Sequence, residues 1–122
     1  MQYDDPGAIT KEAAETILQR DMPEELLYMV VSVGLYEEDY DFAYRIIHQL
    51  ASHPNNNVKG NAILCFGHLA RRFRKLPKDQ VQPLIEAALK ETDGYISGQA
   101  HDAADDIRHF LGWEPGEDQR GQ

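Results

Sequence analysis

Ile46-Ile47-His48-Gln49-Leu50-Ala51, the break His53-Pro54-Asn55-Asn56-Asn57, and then Val58-Lys59-Gly60-Asn61-Ala62 decide how this chain folds. The same pattern returns about 38 residues later, counted from Ile46 to Leu84. The second copy reads Leu84-Ile85-Glu86-Ala87-Ala88-Leu89, then Thr92-Asp93-Gly94, then Ile96-Ser97-Gly98-Gln99-Ala100. Each copy is an apolar helix, a turn, and a second helix that opens on a β-branched residue with Ala four positions on. A unit this short cannot bury its own apolar stripe and stacks on its neighbours. The expected fold is therefore all-α: a short right-handed α-solenoid of about three antiparallel helix pairs. Such folds usually present a binding surface.

Working outward, Thr10 caps a first helix to about Arg20, with Ala14, Ile17 and Leu18 on one face. Pro23 suits the first turn of a second helix, and Glu24 and Glu25 suit its positive end. Its apolar residues are Leu26, Leu27, Val30, Val31 and Leu35. The run Met29 to Val33 is β-branched enough to compete as a strand, but it lies inside a longer periodic segment without a pairing strand nearby. A third helix is expected from Glu38 to Ser52, a fourth from Val58 to Phe73, a fifth from Pro77 and a sixth from Ile96 to Leu111. The fourth should bury Val58, Ala62, Phe66, Leu69 and Phe73, and the sixth Ile96, Ala100, Ala103, Ile107, Phe110 and Leu111. Gly112 ends the sixth. This divides the chain into a flexible N-terminus (1–9), a helical domain (10–112) and a polar C-terminal tail (113–122).

The fourth helix carries a resemblance. Pro54, Val58-Lys59, Ala62-Ile63, Phe66-Gly67 and Leu69-Ala70 resemble the second helix of a HEAT repeat. The sixth helix keeps the core spacing with Ile96, Ala100 and Ile107, but Ser97 stands where the basic residue belongs and Asp105 where the Gly does. The resemblance covers residues 38–111. It implies a HEAT/armadillo-like fold that binds macromolecules, commonly through its second helices, here 23–35, 58–73 and 96–111. Small acidic HEAT-like chains also resemble bacterial toxin-immunity proteins. That likeness implies a protein that neutralises a basic toxin, often a nuclease, by covering its active site.

Composition narrows the partner. The 122 residues carry 21 acids against 12 bases, a formal net charge of −9. That balance argues against nucleic acid as the main ligand, since phosphate contacts need Lys and Arg, and suits a basic protein partner. The alternative is a helical adaptor in a larger complex, its charge serving solubility. The single cysteine, Cys65, lies in the apolar run Ala62-Ile63-Leu64-Cys65-Phe66 and reads as a small core residue. The acidic start, Met1 to Pro6, does not read as a signal peptide, and no apolar run reaches membrane-spanning length. A soluble cytoplasmic protein is expected.

Charge is segregated along the chain. From Pro54 to Lys78 there is no acid, while Lys59, Arg71, Arg72, Arg74, Lys75 and Lys78 are all basic. The cluster Arg71 to Lys75 reads first as cations favoured at a helix C-terminus. A phosphate or RNA patch would need stacking aromatics, and the one ring in the run, Phe73, belongs to the inward stripe of the fourth helix. Two acidic groups are the candidate partner contacts: Tyr36, Glu37, Glu38, Asp39, Tyr40 and Asp41 between the second and third helices, and Asp93, Tyr95, Asp102, Asp105 and Asp106 on or before the sixth. Rings beside carboxylates suit a contact with Arg and Lys of another protein. Either group also reads as a solvated face, with Asp39 or Asp41 as a helix cap.

Catalytic constellations are sparse. His101, Asp105 and His109 form one i, i+4, i+8 stripe. Two turns separate the histidines, so one ion cannot take all three, and His68 or His48 would have to approach. The dipeptide His101-Asp102 resembles that of HD-type metal-dependent phosphohydrolases, whose ligands come from several separated helices; no later Asp on a separate element lies outside the tail. Gly60, Gly67 and Gly98 stand singly within helices and do not form a phosphate loop. The expectation is a protein without catalysis, cofactor or resident metal.

Overall fold

The computed structural model describes residues 7–115, and the expectations that fall on 1–6 and 116–122 lie outside the described residues. Six helices make up the fold: α1 (Lys11–Arg20), α2 (Pro23–Tyr36), α3 (Tyr40–Leu50), α4 (Asn56–Phe73), α5 (Lys78–Leu89) and α6 (Gly94–Leu111). No strand occurs among the described residues. The β-branched run Met29 to Val33 is helical, because Met29, Val30 and Val33 are all buried against neighbouring helices. Core packing outweighs the modest β preference of valine.

The caps explain the boundaries. Thr10 accepts a hydrogen bond from the Ala13 N–H and starts α1. Asp39 accepts from Phe42 N–H at 3.1 Å, so α3 begins at Tyr40 and not at Glu38. Asn55 Oδ1 accepts from the N–H groups of Asn57 and Val58, which starts α4 two residues earlier than the apolar pattern does. Asp93 repeats the arrangement toward Tyr95 and Ile96 N–H, starting α6 at Gly94. Asn56 Nδ2 donates to Asp93 Oδ2 at 2.8 Å, joining the start of α4 to the cap of α6. Each cap satisfies N–H groups that helix geometry leaves without a partner.

α4 is central. It packs against α2, α3, α5 and α6, whereas the backbone of α1 lies against α2 and reaches α3 only through side chains, as in the pairing of Glu15 with Arg45. Its contacts advance in register along α6: Gly60 faces Tyr95, Asn61 faces Gln99, and Gly67 faces Ala103 and Asp106. Against α2, Cys65 faces Val30 and Gly34, and Arg72 reaches Gly34 and Glu37. The helices α2, α4 and α6 thus run in one sense, side by side. On the other face, Tyr44 meets Phe66 and Tyr40 meets Phe73.

Small residues set these distances. A Cβ at Gly67 would come within 3.1 Å of Ala103 Cα, and one at Gly34 would lie 2.5 Å from Cys65 Sγ. Ala100, Ala103 and Ala104 complete the thin seam on α6. Val58, Ala62, Phe66, Leu69, Ile96 and Ile107 fill it, while Phe73, Phe110 and Leu111 lie only partly buried at its edge.

The ends of the described chain are tied down. Ser32 Oγ donates to the Gly7 carbonyl, and Ile9 packs on the core. Beyond Gly112, Trp113 packs on the core, Glu114 accepts from Arg108 Nε at 2.6 Å and Pro115 is buried.

Candidate functional site

The first acidic group is largely occupied within the chain. Asp39 caps α3 and pairs with Lys11 Nζ at 2.7 Å, and these two contacts hold its carboxyl below the ordinary value. Glu37 Oε2 accepts from Asp39 N–H. Tyr40 is half-buried between Tyr44 and Phe73, with Lys75 Nζ 4.4 Å from its ring centroid; burial pushes its phenol up to about 12. Tyr36 is half-buried at the end of α2, while Glu38 and Asp41 stand exposed.

The second group divides. Asp93 is the α6 cap described above. Asp105 pairs with Arg108 Nη1 at 2.7 Å. Tyr95, Asp102 and Asp106 share a different face with Gln99, at the i, i+4, i+7, i+11 spacing of one helix stripe. Asp106 lies beside Gly67, where partial burial raises its carboxyl above the ordinary value.

Tyr95, at the start of that stripe, lines a trough that the sequence alone does not reveal. A cavity of about 310 Å³ is lined by Leu27 and Val31 of α2, Asn61, Leu64, Cys65 and His68 of α4, and Tyr95 of α6. A second cavity of about 370 Å³ continues past Leu27 to Glu24, Asn55 and Asn57. Leu27 and Val31, read from the sequence as apolar residues of this helix, are only half-buried here, because no helix among the described residues covers this side of α2. Leu64 was the available signal: an apolar residue off the Val58, Ala62, Phe66, Leu69 stripe of α4.

Tyr95 is 45% exposed yet held on two sides. Its hydroxyl hydrogen-bonds to Asn61 Nδ2 and, at 3.2 Å, to Gln99 Nε2. Burial and the nearby Arg71 and Arg72 guanidiniums push His68 down to about 4, so its ring is neutral at neutral pH. Cys65 forms part of the floor; its buried thiol donates to the Val30 carbonyl at 3.4 Å and is pushed up to about 12. A thiol so disfavoured as thiolate is a weak nucleophile.

The basic cluster has aromatic partners, one from within the run (Phe73) and others from distant parts of the chain. Arg72 lies 4.7 Å from the Phe73 ring centroid, Arg74 4.9 Å from Phe110 and Lys78 5.5 Å from Trp113. These ring faces meet the chain's own cations and not an incoming base. Arg72 also donates to the Gly34 and Glu37 carbonyls, closing the end of α2. His101, Asp105 and His109 are exposed, and no three His, Cys, Asp or Glu side chains converge as a metal-ligand set among the described residues. No helix among the described residues is long and apolar enough to cross a membrane.

The described residues thus form six helices, with a trough lying across the three parallel helices α2, α4 and α6. The protein is similar to a chain in the crystal structure of a CDI complex from Cupriavidus taiwanensis LMG 19424, with 27% sequence identity and a TM-score of 0.75. The match covers 90% of this chain and 97% of that one. No family model and no curated protein matches.

Proposed function

We propose that this protein is an immunity protein: it binds a toxin polypeptide and neutralises it by covering the toxin's active site, without chemistry of its own. The observation that carries this is the likeness, over nearly the full length of both chains, to a component of a CDI (contact-dependent inhibition) complex. The net charge of −9 supports a basic toxin, a nuclease among the candidates, through steering and charge complementarity. The bacterial cytoplasm is the compartment in which such neutralisation is needed.

The fold reading that accompanies this is a short right-handed, HEAT-like α-solenoid of three antiparallel pairs. Supporting it are the unbroken series α2, α4, α6, the packing of α1 on α2, α3 on α4 and α5 on α6, and the meeting of Tyr40 with Phe73. The exposed acids of both acidic groups remain the proposed partner contacts.

The test is co-expression in a bacterial host with the toxin domain encoded beside this gene. Restored growth and an isolable one-to-one complex are expected. Unrelieved toxicity together with no complex by size-exclusion chromatography would remove the proposal.

A further inference from the structure

We infer that the partner engages the trough between α2, α4 and α6, placing there an apolar side chain carried on a basic segment. This rests on the protein-binding reading above and names the face and the chemistry of the contact. Leu27, Val31 and Leu64 leave apolar surface half-exposed around a cavity of about 310 Å³. That volume lies at the lower end of pockets that enclose small ligands, about 300–1,000 Å³, and suits one large side chain. Its removal from water is the favourable term, about 25 cal/mol per Å² of apolar surface.

The wall of the trough is ordered in advance. Tyr95 is exposed, but Asn61 and Gln99 hold its hydroxyl and the backbone of Gly60 receives its ring. An aromatic ring already fixed in place contributes contact area with little further loss of rotamer freedom. Tyrosine is also among the residue types enriched at the few positions that carry most of the binding energy.

The edge selects charge. Asp102 and Asp106 continue the Tyr95 stripe along α6, and Glu24 stands at the opposite end beside the second cavity. Cations flanking the inserted side chain meet carboxylates at both ends, and charge-assisted hydrogen bonds form there. Arg71, also facing Asp106, disfavours an acidic segment in the middle. The 36–41 segment offers less, since Asp39, Glu37 and Tyr40 already have partners within the chain.

Two measurements test this. The first titrates isotope-labelled protein with an amidated peptide, Lys-Arg-Trp-Lys-Arg, and with its Trp-to-Ala counterpart. Amide shifts at Leu64, His68 and Tyr95 are expected with the tryptophan peptide at about 1 mM, several-fold smaller with the alanine peptide, and reduced at about 0.5 M salt. No shift at the trough, shifts confined to 36–41, or identical responses to both peptides would overturn the inference. The second returns to the toxin with Leu64→Lys, Tyr95→Ala and Asp102→Lys, each checked for unchanged helicity and melting. A loss of affinity of about tenfold or more is expected for the first two. If all three folded variants bind and protect like the unmodified chain, the trough is not the docking face while the immunity reading survives. If the unmodified chain itself fails to protect, that reading falls, and the peptide map still decides the trough.

Discussion

The ring of Tyr95 occupies the space that a side chain at Gly60 would need. A Cβ at Gly60 would lie 2.8 and 2.9 Å from two of its ring carbons. Glycine within a helix normally costs about 0.5–1 kcal/mol relative to alanine. Here its absence of a side chain lets an exposed tyrosine lie flat against the neighbouring helix.

Gly60→Ala should therefore leave stability within about 1 kcal/mol of the parent, because the exposed ring can swing outward. The hydrogen bonds from Asn61 and Gln99 should be lost with it. Gly34→Ala is the contrasting case. Its Cβ would meet the buried Cys65 Sγ at 2.5 Å, which cannot move aside, so about 1–3 kcal/mol of destabilisation is expected. Adding Cys65→Ala should recover part of that loss in a denaturant double-mutant cycle.

Arg72→Met should destabilise by about 2 kcal/mol, because it leaves the Gly34 and Glu37 carbonyls without their donor. Arg72→Lys should restore only part, since an ammonium cannot match the two-pronged guanidinium. Arg71→Ala is expected to stay within about 0.5 kcal/mol. Urea unfolding of the three variants separates these outcomes, and equal losses at both positions would contradict the capping role.

Asp93→Ala should lower stability by about 1–2 kcal/mol, for it removes the α6 cap and the acceptor for Asn56 together. Asp93→Asn should be milder, since an amide oxygen also caps. Thermal melts decide. Unchanged melting with weakened toxin binding would instead make Asp93 a direct partner contact.

His68 makes stability fall as pH falls. Its ring is pushed down to about 4 in the folded chain, against 6.5 for the ordinary value. Between pH 6.5 and 4 the unfolded chain takes up the proton first, so stability present above pH 6.5 is lost across that window. After discounting for partial exposure, the loss is on the order of 1–2 kcal/mol. Asp106, raised by burial, acts in the opposite direction as it protonates. Denaturant melts of His68→Gln should show a flatter profile between pH 6.5 and 4 than the parent, and parallel curves would contradict the assignment.

Reversing charge at Asp102 and Asp106 together should weaken the toxin complex mainly through slower association. The dependence of affinity on ionic strength should flatten, as an attractive field has been removed. Surface plasmon resonance across a salt series reads both effects.

The helices were legible because their stripes and stop signals are local. Pro54, the asparagines after it and Asp93-Gly94 mark the breaks, and Val58, Ala62, Phe66 and Leu69 declare one buried face. The starts of α3, α4 and α6 shifted by two residues where Asp39, Asn55 and Asp93 cap, since a cap lies outside the apolar pattern it precedes. The trough was less legible. Leu27 and Val31 read like their buried neighbours, but no helix among the described residues lies above them. The link from Tyr95 to Gly60 spans 35 residues, and periodicity carries no information on which neighbour a ring will meet. The basic run was similarly opaque, for its aromatic partners Tyr40, Phe110 and Trp113 arrive from other parts of the chain.

The position of α4 governs how the molecule comes apart. Four helices lean on it and α1 does not, so amide hydrogens along α4 should exchange slowest, near the rate of complete unfolding, and those of α1 soonest. Shortening the chain at the α1 end should thus be tolerated far better than a single proline placed in the middle of α4.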